Sequence, residues 1–151
     1  MCRSSELYWF YQDGASHVFP DAFEPYLEHI PLEEQSALIP AYYSRLTSED
    51  VDIRRNAAKE WTRWEMATSR LFPDPEYLDK ADDLDFAVAF ARIECHYFIN
   101  GIFVEDTYIL KHTESIDHIP AVIVQGRYGV PCEECVGIAQ EATTINSEDH
   151  S

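Results

Sequence analysis

Positive charge is what this sequence has least of. Eleven lysines and arginines stand against 28 aspartates and glutamates, for a formal net charge of −17. Phosphate-rich surfaces are repelled by such a chain, so nucleic acid and anionic membranes are poor partners and no such partner is expected; a cationic ligand fits better, the alternative being a merely solvated acidic surface. No apolar run approaches the length of a membrane span, and the opening MCRSSELYWF lacks the basic-then-apolar layout of a signal peptide. The expected location is the cytosol. Cysteine is sparse too, at Cys2, Cys95, Cys132 and Cys135, and in a reducing compartment all four are expected as free thiols. Cys132 and Cys135 form a C-x-x-C, but no second pair and no H-x-x-x-H stands near to complete four zinc ligands. No metal or other cofactor is therefore expected, and His96, beside Cys95, reads as a surface or core histidine. Internal repeats and low-complexity segments are absent.

What is present is apolar and aromatic. With 46% apolar residues and 13% aromatics over 151 positions, the chain is long enough for one globular domain with a real core. Its patterning is mostly helical. SELYWFYQ reads as a short aromatic helix capped by Ser4 or Ser5, and Asp13 to Ser16 as a turn. A helix from Phe19-Pro20-Asp21 to about His29 turns Phe23 and Leu27 inward. Pro31 opens another that runs to Leu46, with Pro40 kinking or splitting it. Thr47 and Asp50 resemble a capping box ahead of a long helix that stops before Pro73. Pro75 to Lys80 is a short helix or turn, and Glu105 to Ser115 is a candidate helix.

The chain is organised around Leu84 to Asn100. Phe86, Phe90, Ile93 and Tyr97 recur at the spacing of one helix face, with Asp82 or Asp83 as cap and Gly101 as terminator. Glu94 is the oddity, set among Phe90, Ala91, Tyr97 and Phe98. The preceding long helix repeats it, with Glu65 in a stripe of Ala58, Trp61, Thr68 and Phe72. A carboxylate on a buried face needs a partner or must keep its proton. Two such acids on neighbouring helices make an acidic pocket for a cation such as a substrate ammonium. Alternatively each pairs with an arginine, Arg63, Arg70 or Arg92, or lies on the edge of its stripe.

After His118-Ile119-Pro120 the character changes. Ala121 to Val124 is a β-branched run closed by Gln125-Gly126, the one convincing strand, and it has no sheet of its own. Helices followed by an orphan strand point to part of an α/β protein. Thr143 to Ser151 is a polar tail.

Several segments carry a more detailed likeness. WFYQDGASHVFPDAFE, AYYSRLTSED, WTRWE, LFPDPE, FAVAFARIECHYF and HIPAVIVQGRYG resemble, in order, segments of the proline iminopeptidase family of α/β-hydrolases, from about Ser5 to Cys132. The resemblance implies a mainly α chain. Residues 1–118 would be the helical cap, 119–142 a partial return to the core with one strand and a helix of the catalytic sheet domain, and 143–151 the tail.

The family releases N-terminal proline from peptides by serine-nucleophile acyl transfer, and glutamates in its cap hold the free amine. By resemblance these fall on Glu65 and Glu94. An aromatic wall for the proline ring falls on Phe10, for which plain core packing is the alternative; Trp61 and Trp64 are read as cap core. The family's His-Gly-Gly-Pro-Gly oxyanion segment and Gly-x-Ser-x-Gly nucleophile elbow do not occur in this sequence. Its catalytic aspartate, last residue of G-R-Y-D, falls on Gly129. A histidine without that carboxylate loses its orienting partner, worth on the order of ten-thousand-fold in a serine protease. His150, in E-D-H-S, has only a faint likeness to the family's G-H-S and is not taken as catalytic. Cys132 fits a family cysteine three residues past the aspartate, beside the substrate, or else it is buried and inert.

Three readings follow. One is a partial proline iminopeptidase, inactive alone, whose partner is a peptide with N-terminal proline. Another is a non-catalytic module that binds a proline amine or pairs with a full-length relative through the exposed cap underside. The last is a gene fragment without a selected function.

Overall fold

A computed structural model describes residues 3–70, 72, 74–115 and 118–120, with 109 and 110 in backbone only. They divide into a compact unit that ends at Phe103 and a second that begins at Val104. The first is made of α1 (Ser4–Tyr11), α2 (Ala15–Val18), α3 (Pro20–Glu28), α4 (Leu38–Leu46), α5 (Val51–Thr68), α6 (Pro75–Leu78) and α7 (Leu84–Ile99). Short 3-10 turns sit at Leu32–Glu34, Asp79–Asp82 and Gly101–Phe103. Among the described residues there is no strand, and the fold is mainly α as expected. The strand expected at 121–125, the helix after it and the polar tail lie outside the described residues. No described helix is long and apolar enough to cross a membrane.

Helix boundaries follow local chemistry, with some departures from the expected caps. α1 is capped at Arg3, not by a serine: the Arg3 amide donates to Glu6 Oε2 at 3.3 Å. The turn after it tightens into α2. The helix expected to run from Pro31 to Leu46 is split, as Pro40 foretold, but the break precedes the proline. α4 starts at Leu38, which puts Pro40 in the first turn, where no amide is needed. Asp50, not Thr47, caps α5, its Oδ1 accepting from the amides of Asp52 at 2.9 Å and Ile53 at 3.2 Å. Thr47 instead folds back on the Tyr43 carbonyl at 2.7 Å. Asp83 caps α7 by accepting from the Phe86 amide, and Gly101 ends it at φ 58.

α5 is the central helix, packed most extensively on α7 and also on α3 and α4. Ala57 and Ala58 on α5, and Ala87, Ala91 and Cys95 on α7, are all buried. Small side chains let the two helices approach closely. Around that seam lies an aromatic block. Tyr11 stacks on Trp61 with centroids 4.7 Å apart, Tyr26 on Tyr42 at 4.5 Å, and Trp64 meets Phe10 and Phe23 at 5.2 Å each. Each such pair adds roughly 0.5–1.5 kcal/mol to what burial supplies.

Two stripes differ from expectation. On α7 three of the four expected stripe residues face outward, Phe86 37% exposed, Ile93 62% and Tyr97 48%, while Phe90 is half-buried against the core. The buried line is Ala87, Ala91 and Cys95, because the close approach to α5 leaves no room for larger groups. Phe72, placed in the α5 stripe, is 77% exposed, since α5 ends at Thr68 and the chain turns away.

In the second unit, the candidate helix over Glu105 to Ser115 forms only as α8 (Tyr108–Lys111) and a 3-10 turn at Thr113–Ser115. The β-branched Thr107, Ile109 and Thr113 disfavour a longer helix. Lys111 pairs with Glu105 at 2.8 Å.

Candidate functional site

Glu65 and Glu94, singled out by helix period, lie on the two most closely packed helices and face one aromatic block. Glu65 is only 8% exposed, and Glu94 is partly buried. Their hydrogen-bond partners among the described residues are neutral. The Tyr11 hydroxyl, from α1, donates to Glu65 Oε1, and the Trp61 indole Nε1 donates to Glu94 Oε2 at 2.9 Å. Because Tyr11 is stacked on Trp61, one pair of rings supplies a donor to each acid. Phe98, one turn after Glu94, closes the group against Tyr11 at 5.1 Å.

The arginines considered as partners are engaged elsewhere or lie apart. Arg63 contacts Asp82 at 3.4 Å and Glu60 at 3.6 Å, Arg70 pairs with Asp74, and Arg92 lines a groove of about 500 Å³ with Tyr43 and His96. Among the described residues no cationic side chain pairs with Glu65 or Glu94. Neither that groove nor one of about 310 Å³ beside Glu60, Arg63 and Asp82 is lined by the two acids.

Electrostatics follow from this enclosure. Burial raises the Glu65 carboxyl to about 8, the charge of Glu94 pushes the same way, and the Tyr11 hydrogen bond and the positive amino terminus pull back. Glu94 is raised by burial and lowered by the Trp61 donor and by the positive amino terminus. Tyr11 is held well above its ordinary value, by burial first and then by Glu65 and Glu94. Cys95, next to Glu94 in sequence, is pushed up to about 12 by burial and by that same acid. The arrangement can store a proton or counter a cation; at neutral pH it contains no strong nucleophile.

Phe10 is buried against Trp64. Trp61 and Trp64 are fully buried, as core residues should be, and Trp61 is also a polar partner. Cys132, Cys135, Gly129 and His150 lie outside the described residues. Among those described, no group of three or more His, Cys, Asp or Glu could hold a metal ion. Sequence reasoning missed Tyr11. The available signal was complementary need: a phenol in an apolar helix requires an acceptor, and a buried acid requires a donor.

No family model matches the chain. It is 59% identical over 133 residues to a probable proline iminopeptidase of Leptolyngbya boryana, covering 87% of this chain and 41% of that protein. A proline iminopeptidase of Xylella fastidiosa is 50% identical over 133 residues, with 87% and 42% covered. One from Arabidopsis thaliana is 47% identical over 134 residues, with 87% and 35% covered. The chain therefore spans about two fifths of the length of the curated relatives it matches. Over most of its residues, then, this chain resembles the proline iminopeptidase family and corresponds to one part of those proteins.

Proposed function

We propose that this chain is the substrate-recognition part of a proline iminopeptidase-like serine aminopeptidase, in which Glu65 and Glu94 bind the charged amine of a peptide's N-terminal proline. In this reading residues 1–118 are the cap, Phe10 flanks the proline ring and Cys132 lies near the substrate. The observation that carries it is the pair of acids on α5 and α7 with neutral donors and no side-chain cation among the described residues. The acids respond to an ammonium, since the positive charge of the chain's amino terminus pulls both of them down. The named relatives support the substrate class.

The sequence has no Gly-x-Ser-x-Gly, and Gly129 stands where the family has its aspartate. Recognition without hydrolysis is therefore proposed for these 151 residues acting alone. A cytosolic setting accords with the buried free thiol of Cys95.

The test is calorimetric titration of L-prolinamide into wild type and into the E65Q/E94Q variant. Binding is expected in wild type and a loss of at least tenfold in the variant; equal heats overturn the amine site. Turnover of a proline anilide that a serine-directed inhibitor abolishes would overturn the absence of hydrolysis. The outward Phe86, Ile93 and Tyr97 favour a second reading, docking onto a full-length relative. Light scattering of the mixture tests it, with a single heterodimer mass expected and unchanged separate masses against it.

A further inference from the structure

We propose that the outward side of α7 pairs two copies of this chain, antiparallel, across a two-fold axis between Val88 and Ala89. The surface is separate from the two acids of the amine reading, since Glu94 is turned toward Trp61 of α5.

The side in question borders an open groove of about 500 Å³. Asp85, Val88, Ala89, Arg92, Ile93 and His96 of α7 form one wall, at the i, i+3, i+4, i+7 spacing of a single helix side. Tyr43 and Thr47 of α4 form the other. His96 is held to that second wall, its Nδ1 lying 3.3 Å from the Tyr43 hydroxyl. Ala89 and Ile93 are exposed and Val88 is half-buried. The small side chains at 88 and 89 let a second helix approach closely at the middle of the stripe.

Charge selects the occupant. Arg92 has no acidic or hydrogen-bonding partner among the described residues. Arg45, Arg55, Arg63 and Arg70 all have an acid beside them. Asp85 reaches only Arg55, at 3.6 Å, with its own side chain 95% exposed. Seven residues separate Asp85 from Arg92, two helical turns or about 10 Å along the axis. Turning a second α7 end for end about the midpoint sets Asp85 of each copy opposite Arg92 of the other. A two-fold contact requires a patch that complements itself in this way, and no other partner would require it. Each copy carries a net charge of −17, so the copies repel unless the contact is locally neutral. One acid and one guanidinium from each copy meet that condition. A contact made by one helix and the edge of its groove is small, and the dimer belongs with the weak, reversible ones.

The test is sedimentation equilibrium of the 151-residue chain, at about 0.15 M salt, where repulsion is screened beyond about 8 Å. Wild type should move from the monomer mass toward twice that mass as its concentration is raised to the millimolar range. D85R and R92D each place like charges at both contacts and should weaken the dimer by about tenfold or more. Mixed in equal amounts, the two variants again present opposite charges at both contacts, and the mass should rise above that of either alone. This rescue separates a lost contact from a lost fold. Wild type that stays monomeric throughout overturns the proposal. So does a dimer that both variants leave intact, or a mixture no heavier than its components.

Discussion

The Tyr11 hydroxyl donates to Glu65 Oε1, joining the first helix of the chain to the last turn of α5 across 54 positions of sequence. The same phenol ring lies flat on Trp61, whose indole serves Glu94. Core packing and the polar contacts of the two acids are thus built from the same pair of rings. Perturbing the acids should therefore register in folding as well as in binding.

Y11F tests the first contact. It keeps the stacked ring and removes the donor, so the Glu65 carboxylate loses its support while the protonated acid is little affected. Urea unfolding should show a loss of about 1–3 kcal/mol at pH 8 and a smaller one at pH 5. Equal losses at the two pH values would mean that the hydroxyl does not stabilise the charged form.

Glu65 also makes stability depend on pH. Its folded-state value, about 8, lies above the ordinary 4.5, so between those values the native protein binds more protons than the unfolded chain. The proton-linked stability is fully present below about 4.5 and is lost as pH rises through 8, by at most about 1.4 kcal/mol per pH unit. Self-repulsion of the acidic surface has the same sign, so the informative quantity is the difference from E65Q. The variant should lose less stability between pH 5 and pH 8 than wild type, and parallel curves would contradict the assignment.

Trp61 is expected to be coupled energetically to Glu94. W61F removes the indole donor at 2.9 Å but leaves an aromatic ring on Tyr11. A double-mutant cycle with E94Q should give an interaction energy of about 0.5–3 kcal/mol. A value within error of zero would show that the indole contact contributes nothing to stability.

The turn before α2 offers a test independent of charge. A Cβ at Gly14 would fall 2.3 Å from Trp9 Cδ1, so the indole ring has to shift to admit even alanine. G14A should cost about 1–3 kcal/mol, with a change in tryptophan emission; unchanged stability would mean that Trp9 has free space to move into.

How much of this could be read beforehand depended on what each feature required. The two acids were legible because a carboxylate within an apolar helix period is conspicuous by itself. The burial of α7 was not, because periodicity gives weight to bulky residues. Phe86, Ile93 and Tyr97 marked the wrong face, whereas Ala87, Ala91 and Cys95 set the helix spacing and are buried for that reason. Pro40 announced a break, but its position depended on the tolerance of a first turn for proline. Asp50 and Thr47 are equally plausible caps in sequence, and hydrogen-bond geometry selects Asp50. Tyr11 was hidden by distance, since nothing local in SELYWFYQ points to a residue 54 positions on.

The central claim is that a charged imino nitrogen is what the paired acids recognise. The direct test is to titrate the protein with L-prolinamide and with N-acetyl-L-prolinamide, which has the same ring and no positive charge. Saturable heat from the first and none from the acetylated compound is the expected result. Equal binding of the two, or binding of the acetylated compound alone, would contradict the account.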